Sequence, residues 1–160
     1  MCFSFLIFRE QFYLNVKQDF IENKLRFISE DEQNQIPEIA GLIAQVELGD
    51  YIRKDPTQIL QYENIVPQSE DFIEFLPKLV KEHRKLKNTS RESAHYRLLQ
   101  MVSALSCYGI EYHEILGEKG AVNHIGVGPE GIATYDSEWN LQDRYDDETF
   151  SFKLNGNSLD

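Results

Sequence analysis

Apolar residues recur at helical spacing through the first two thirds of the chain. Four stretches have one apolar face and polar residues between, which predicts amphipathic helices that pack together. The first runs from about Glu10 to Glu22 and the second ends near Leu48. The four apolar faces comprise Phe12, Tyr13, Val16, Phe20 and Ile21; Ile36, Ile39, Ala40, Ile43 and Val46; Phe72, Phe75, Leu76, Leu79, Val80 and Leu86; and Ala94, Leu98, Met101, Val102, Leu105 and Tyr108.

Capping signals set the expected helix boundaries. Ser29 to Glu32 has the pattern of a capping box, in which a serine binds a free amide and a glutamate reaches back. Thr89 to Glu92 repeats that pattern before the fourth helix. Gly49 and Gly109 are typical stops after a helix, so we expect the second and fourth helices to end there.

Prolines modify this helical pattern at several positions. Pro37 makes a helix from Ser29 start later or kink, and Pro77 predicts a break or bend in the third helix. Pro56 and Pro67 indicate a loop between the second and third helices.

After Gly109 the pattern changes to short runs that favour strands. We therefore expect an α+β protein, with a helical bundle of about 100 residues followed by roughly 50 residues of β-meander. The predicted strands are Tyr112–Leu116, Val122–Val127, Ile132–Tyr135 and Phe150–Leu154.

The run IGVGPEGI, Ile125 to Ile132, contains the G-x-G-x-x-G string of dinucleotide-binding sites. That motif needs a helix after the glycines, because the helix N-terminus holds the pyrophosphate. Pro129 interrupts the string, and the residues after Gly131 favour a strand. We therefore interpret the run as a β-hairpin and not as evidence for a nucleotide-dependent enzyme.

Composition narrows the class of protein. The 160 residues are 41% hydrophobic and 12% aromatic, which is enough for a folded core. The formal net charge of −11 argues against binding nucleic acid or anionic membrane with the whole surface. The apolar start MCFSFLIF is too short to span a bilayer and has no signal-peptide pattern, so we interpret it as a strand or the lead-in to a helix.

No residue pattern points to catalysis, a cofactor or a metal. The two cysteines and four histidines are scattered singly, so we expect a reducing compartment without disulfides. Cys107 is expected to be buried as a small apolar residue, and Ser103 and Ser106 have no acid–base partner at a telling spacing.

One cluster of cations stands out in this acidic chain. The functional interpretation is a contact for anionic lipid or an acidic partner. The alternative is a solvated helix end, which we favour because cations are common at helix C-termini. The candidate binding residues are Lys81, Arg84, Lys85, Lys87 and Arg91, with His83 among them in sequence.

Three ordered motifs resemble the FERM domain found in band 4.1, ezrin, radixin and moesin: YLNVKQDFIENKL from Tyr13, LIAQVELGDY from Leu42 and YGIEYH from Tyr108. The resemblance implies an acyl-CoA-binding-protein-like helical lobe over 9–110. It implies the start of a PH/PTB-like lobe over 111–142, and residues 143–160 lie outside it.

The run from Lys81 to His113, together with IGVGPEGI, is most similar to FERM members that carry a RING and act as E3 ubiquitin ligases on membrane receptors. This chain has no RING cysteines, no ubiquitin-like first lobe and only about three strands of the third lobe. We therefore expect a non-enzymatic adaptor fragment, with a poorly stable β part that has exposed sheet edges.

The resemblance implies two alternative roles and a common location. One is the substrate-recognition module of a ubiquitin ligase, and the other is a scaffold of the band 4.1 or FERM-phosphatase type. Either implies binding to the cytoplasmic tail of a membrane receptor or to a cytoskeletal protein. The expected location is cytoplasmic, peripheral to the plasma membrane or cytoskeleton.

Overall fold

The chain forms two compact units, Met1–Tyr108 and Gly109–Asp160. The computed structural model describes residues 3–116, 122–129 and 131–145, with the backbone alone at 3–9 and 122. The first unit is helical and the second is an antiparallel sheet, which confirms the predicted α+β class.

Helix α3 lies at the centre of the helical unit. All its residues from Ile39 to Val46 are buried, and it packs against α5 and α6. The largest fully buried apolar side chains come from several helices, as expected for one shared core. The helices are α1 (Phe3–Ile21), α2 (Glu30–Gln33), α3 (Ile36–Leu48), α4 (Pro56–Gln61), followed by a 3₁₀ turn (Tyr62–Asn64), α5 (Phe72–Lys85) and α6 (Arg91–Ser103).

The ends of the first three helices partly match the expectations. α1 begins at Phe3 and not near Glu10, so the apolar start of the chain is helical from that residue. The capping box is confirmed: Ser29 Oγ accepts from the Glu32 amide, and Glu32 reaches back to the Ser29 amide. It caps only the short helix α2, and a separate α3 begins with Pro37 in its first turn, where a missing N–H costs little.

Two further expectations are met only in part. Helix α5 continues through Pro77, so the break predicted there is absent, while the alternative of a bend stays a prediction. Both Pro77 and Ile73 are exposed, so water can reach the Ile73 carbonyl. The loop expected around Pro56 contains α4, capped by Asp55, whose side chain accepts from the Thr57 amide.

The fourth predicted helix is shifted at its start and shorter at its end. Ser90, and not Thr89, caps α6, because its hydroxyl accepts from the Ser93 amide at 3.1 Å. α6 ends at Ser103, and turns fill the residues before Gly109, whose φ is +74°.

The buried carboxylate of Glu32 connects the segment around α2 to the turns that follow α6. Glu32 accepts hydrogen bonds from the amides of Ile28 and Ser29, at 2.7 and 3.2 Å. Its other oxygen accepts from the amide of Ser106 at 2.7 Å and from the Ser106 hydroxyl. Burial alone would raise the pKa of Glu32, but the bonds from Ser106, Ser29 and Ile28 outweigh it and hold the pKa below its ordinary range.

Replacing Glu32 with glutamine is expected to lower the free energy of unfolding by about 2 kcal/mol at pH 7, because an amide cannot accept all four bonds. The folded pKa is depressed, so the wild-type chain also loses stability as the pH falls below the ordinary value of 4.5. The variant should lack that loss. Urea unfolding between pH 3.5 and 7 measures both effects, with the exposed Glu30→Gln in the same turn as control. Equal pH dependence in the wild type and Glu32→Gln would contradict the assignment.

The second unit is a four-stranded antiparallel sheet in the order β1-β2-β3-β4. Three strands match the predicted runs within one residue, and β4 was not predicted. The predicted strand Phe150–Leu154 lies outside the described residues. Within the described residues β1 and β4 form the two edges, and all five residues of β4 are exposed. The strands are β1 (Glu111–Leu116), β2 (Val122–Gly128), β3 (Gly131–Tyr135) and β4 (Leu141–Tyr145).

The glycine run forms the predicted hairpin. Gly128 pairs with Gly131 across the β2–β3 turn, and β3 follows where a dinucleotide site would need a helix. A Cβ added to Gly126 or Gly128 would come within 2.9 Å of the Ile110 side chain, and Gly131 has a φ of +114°. The three glycines are therefore explained by close packing and turn geometry.

Candidate binding surface

The exposed side of α5 carries most of the predicted cations. Asp71 caps this helix by accepting from the Glu74 amide at 3.0 Å. Phe75, Leu79 and His83 form its buried side. Because helical residues three or four apart share a side, the exposed cations form one continuous row. That row consists of Lys78, Lys81, Arg84 and Lys85.

The cations of this row differ in what they contact. Lys85 forms an ion pair with Glu82 at 2.5 Å. The Arg84 guanidinium lies over the ring of Tyr51, 5.8 Å from its centroid. Lys81, and Lys87 beyond the helix end, have no ion pair within the described part of the chain. Both are exposed, so they remain available to an anionic ligand.

Arg91 connects three helices of the bundle. Its guanidinium pairs with Glu10 at 2.9 Å, and its Nε donates to the carbonyl of Val46 at 3.3 Å. It therefore joins the start of α6 to α1 and α3. His83 lies beside these cations in sequence, but its side chain is fully buried on the opposite side of α5.

His83 bonds to two elements of the core. A carbonyl can only accept, so Nε2 carries the proton and donates to Gly49 O at 2.7 Å. Nδ1 then accepts from the Tyr62 hydroxyl at 2.8 Å. Burial lowers the pKa of His83, although the bond to Gly49 opposes the shift, so the ring is neutral at pH 7.

Asp50 fixes the loop after α3 against the end of α5. Its carboxylate accepts from the Gln45 side chain at 2.8 Å and from the Asn88 amide at 3.0 Å. These two donors hold the pKa of Asp50 below its ordinary range. The next turn is fixed by Gln58, which accepts from the Ile52 amide and donates to the Asp50 carbonyl. The loop is thus preorganised beside the cations.

Sequence reasoning missed three exposed cations near this surface. Lys78 lies one turn before Lys81, and that spacing could have identified it. Arg53 and Lys54 are distant in sequence and lie in the loop that Tyr51 brings against Arg84. Only the tertiary contact reveals that they extend the same surface.

The described residues offer little for catalysis or metal binding. No group of three or more His, Cys, Asp or Glu side chains in residues 3–116, 122–129 and 131–145 could hold a metal ion. Cys107 is buried as predicted, and burial raises the pKa of its thiol. Ser106 does have an acidic partner, Glu32, but that carboxylate's lowered pKa makes it a weak base. No helix in the described part of the chain is long and apolar enough to cross a membrane.

The sequence profile described as the FERM central domain matches residues 6–113. Human Band 4.1-like protein 4A is 28% identical over 134 residues, which cover 81% of this chain and 18% of that protein. Human tyrosine-protein phosphatase non-receptor type 4 is 30% identical over 129 residues, covering 79% of this chain and 13% of that protein. The chain therefore spans less than a fifth of either relative.

Solved structures show the same fold. The complex of the FERM and C-terminal domains of Drosophila Merlin superposes with a TM-score of 0.64 at 17% identity, covering 88% of this chain and 48% of that one. The human Myosin 7b MyTH4-FERM domain in complex with the harmonin-a PDZ3 domain gives 0.60 at 16% identity, with coverages of 84% and 29%. At these identities the likeness establishes the fold, a helical FERM lobe followed by a PH/PTB-like sheet.

Proposed function

Because the chain belongs to the FERM central domain family, we propose that it is part of a non-catalytic scaffold linking the cytoplasmic tail of a membrane protein to the cytoskeleton. Its similarity to a band 4.1 protein and to a FERM-containing phosphatase carries this proposal. The corresponding location is cytoplasmic, peripheral to the plasma membrane or cytoskeleton. The phosphatase activity in the relative's name is not proposed for this chain, since the match covers 13% of that protein.

The proposal assigns a role to each part of the chain. Residues 9–110 are the central FERM lobe, residues 111–142 begin the PH-like lobe, and 143–160 follow as a segment outside the resemblance. Lys81, Arg84, Lys85 and Lys87 form a contact for anionic lipid or an acidic partner. Arg91 lies next to them and contributes charge while holding α6 in place.

The second candidate is the substrate-recognition module of a RING-type E3 ubiquitin ligase. The run from Lys81 to His113 and the hairpin IGVGPEGI support it, since both resemble the myosin regulatory light chain interacting protein. The band 4.1 and phosphatase relatives favour the scaffold instead. Sequencing the full transcript separates the two: an adjoining RING supports the ligase module, and an adjoining actin-binding or phosphatase segment supports the scaffold.

The adaptor proposal predicts that the full chain binds cytoplasmic tails directly. We expect at least one peptide in a panel of synthetic juxtamembrane tails to bind with a Kd of about 1–100 μM, the range of transient recognition. Fluorescence anisotropy in solution measures this, with a scrambled peptide of identical composition as control. If the tails bind no better than their scrambled versions across the panel, this chain does not recognise tails.

A further inference from the structure

The loop between α5 and α6 presents an exposed hydroxyl group. Ser90 is exposed and has an extended backbone, with φ −65° and ψ 156°. Its oxygen accepts from the Ser93 amide at 3.1 Å, and its hydroxyl donates to the Ser93 hydroxyl at 3.1 Å. Because Ser93 is exposed as well, water can replace these two bonds when another molecule engages the Ser90 oxygen. The hydroxyl is therefore accessible to a modifying enzyme.

The neighbouring hydroxyl groups are less accessible. Thr89 is half-buried, and its carbonyl accepts from the Gln45 side chain at 2.8 Å, which holds it against α3. Ser93 lies in the first turn of α6, so an enzyme that surrounds it has to break helical hydrogen bonds. Ser90 precedes that helix, so fewer bonds have to open around it. The structure thus favours Ser90 over both neighbours as the reactive residue.

Cations surround Ser90 in sequence. Lys85 and Lys87 lie five and three positions before it, and Arg91 follows it directly. Residues 84–91 carry four positive charges and no negative one, in a chain whose net charge is −11. Charge complementarity attracts a kinase with an acidic peptide groove to this segment. The segment therefore offers both a reactive group and a basis for its recognition.

Ser29 provides a contrast within the same chain. It is also exposed and caps a helix in the same way, because its hydroxyl oxygen accepts from the Glu32 amide at 3.1 Å. Three acidic residues, 30–32, follow it directly, so an acidic groove would repel this segment. The cations, and not the capping geometry, therefore distinguish Ser90.

We propose that Ser90 is phosphorylated by a protein kinase that recognises basic residues around its target. The Ser90 oxygen attacks the γ-phosphorus of ATP, the bond from that phosphorus to ADP breaks, and the hydroxyl proton passes to the kinase's catalytic aspartate. The phosphate carries a charge of about −1.5 to −2 at pH 7, so it cancels about half of the positive charge of residues 84–91. This modification does not depend on the proposed function, since it needs only the hydroxyl and its cations.

The test is incubation of the folded full chain with ATP and the catalytic domain of protein kinase C, a kinase that selects basic residues. Mass spectrometry of the intact chain and of its peptides locates the phosphate. We expect a single phosphate on Ser90, and Ser90→Ala should lower the initial rate about tenfold or more. Ser29→Ala and Thr89→Ala each remove one hydroxyl as well, and should keep the rate within about twofold. Phosphate chiefly on Thr89 or Ser93, or on no residue, would overturn the proposal.

Substituting the cations tests the recognition. Lys85→Gln with Lys87→Gln should lower kcat/KM about tenfold, since each exposed charge pair contributes about threefold. The matched control Lys78→Gln with Lys81→Gln removes two cations farther from Ser90 in the same helix, and should change kcat/KM by less than about twofold. Equal losses in the two pairs would show attraction to the overall charge and overturn recognition of this segment.

Two further measurements separate loss of the site from loss of the fold. Ser90→Thr keeps a hydroxyl and the capping bond, so it should regain the phosphorylation that Ser90→Ala loses. A synthetic peptide of residues 82–95 serves as the unstructured reference, and the folded chain should reach at least about a tenth of its rate. Phosphorylation of the peptide without that of the folded chain would overturn the proposal, because the hydroxyl would then be inaccessible in the fold.

Discussion

Replacing Gly41 with valine is expected to lower the free energy of unfolding of the helical unit by about 4 kcal/mol or to prevent folding. At Gly41 helices α3 and α5 meet almost backbone to backbone. An added Cβ would lie 2.9 Å from Glu82 Cβ and 3.0 Å from the His83 amide nitrogen. A backbone nitrogen cannot rotate away, so the helices must separate and the core around them loses packing.

Gly41→Ala is the sharper version of this experiment. Alanine favours the helix by about 1 kcal/mol over glycine, yet overpacking costs about 3 kcal/mol, so we expect a net loss near 2 kcal/mol. Urea unfolding followed by circular dichroism measures it. The double variant Gly41→Ala with Glu82→Gly removes the Cβ–Cβ contact, and the cycle should show about 1 kcal/mol of favourable coupling. A Gly41→Ala chain more stable than wild type would refute the close helix contact.

Replacing His83 with leucine should lower the free energy of unfolding by about 2–3 kcal/mol, the second largest effect. The variant fills similar space, but it removes the donor to the Gly49 carbonyl and leaves the buried Tyr62 hydroxyl with only the longer 3.4 Å bond to Gln58. Each unsatisfied buried group costs about 1–3 kcal/mol. Tyr62→Phe is the matched control: it removes one hydroxyl, leaves the Gly49 bond intact and should cost about 1 kcal/mol. Urea unfolding at pH 7 compares the three proteins, and equal stability of all three would contradict the hydrogen-bond assignment.

The pH dependence of His83 provides a second readout. Burial lowers its folded pKa below the ordinary 6.5, so below that pH the unfolded chain binds more protons than the folded one. Wild-type stability should therefore fall as the pH drops from 6.5 towards the folded pKa. His83→Leu should lack this loss. This loss begins near pH 6.5, whereas that of Glu32 begins near 4.5, so a loss of stability between these two pH values is assigned to His83.

The main helices could be predicted because the residues on their predicted apolar faces are also the residues buried in the core. Val16, Ile39, Leu79 and Leu98 all lie in the core, as the spacing indicates. The errors occur where a local signal competes with tertiary contacts. The fourth predicted helix includes Ser106. In the structure Ser106 lies in a turn after α6 and donates hydrogen bonds to Glu32. No local sequence pattern around Ser106 predicts a contact with a residue 74 positions away in the chain.

The candidate surface was only partly predictable for a similar reason. A count of cations identifies Lys81, Arg84, Lys85 and Lys87, but it cannot separate them from Arg91, which pairs with Glu10, or from the buried His83. Strand β4 escaped prediction because LQDRY is polar and all five residues are exposed. β4 is a strand because it pairs with β3, and its own five residues do not predict that pairing.

The bonds between Glu32 and Ser106 determine where the helical unit can be cut from the rest of the chain. A terminus placed at Ser103, where α6 ends, would leave the carboxylate enclosed with two of its four donors gone. A terminus after Tyr108 keeps them. Five turn residues, 104–108, thus decide whether a shortened chain folds as a domain or as a partly opened bundle that aggregates.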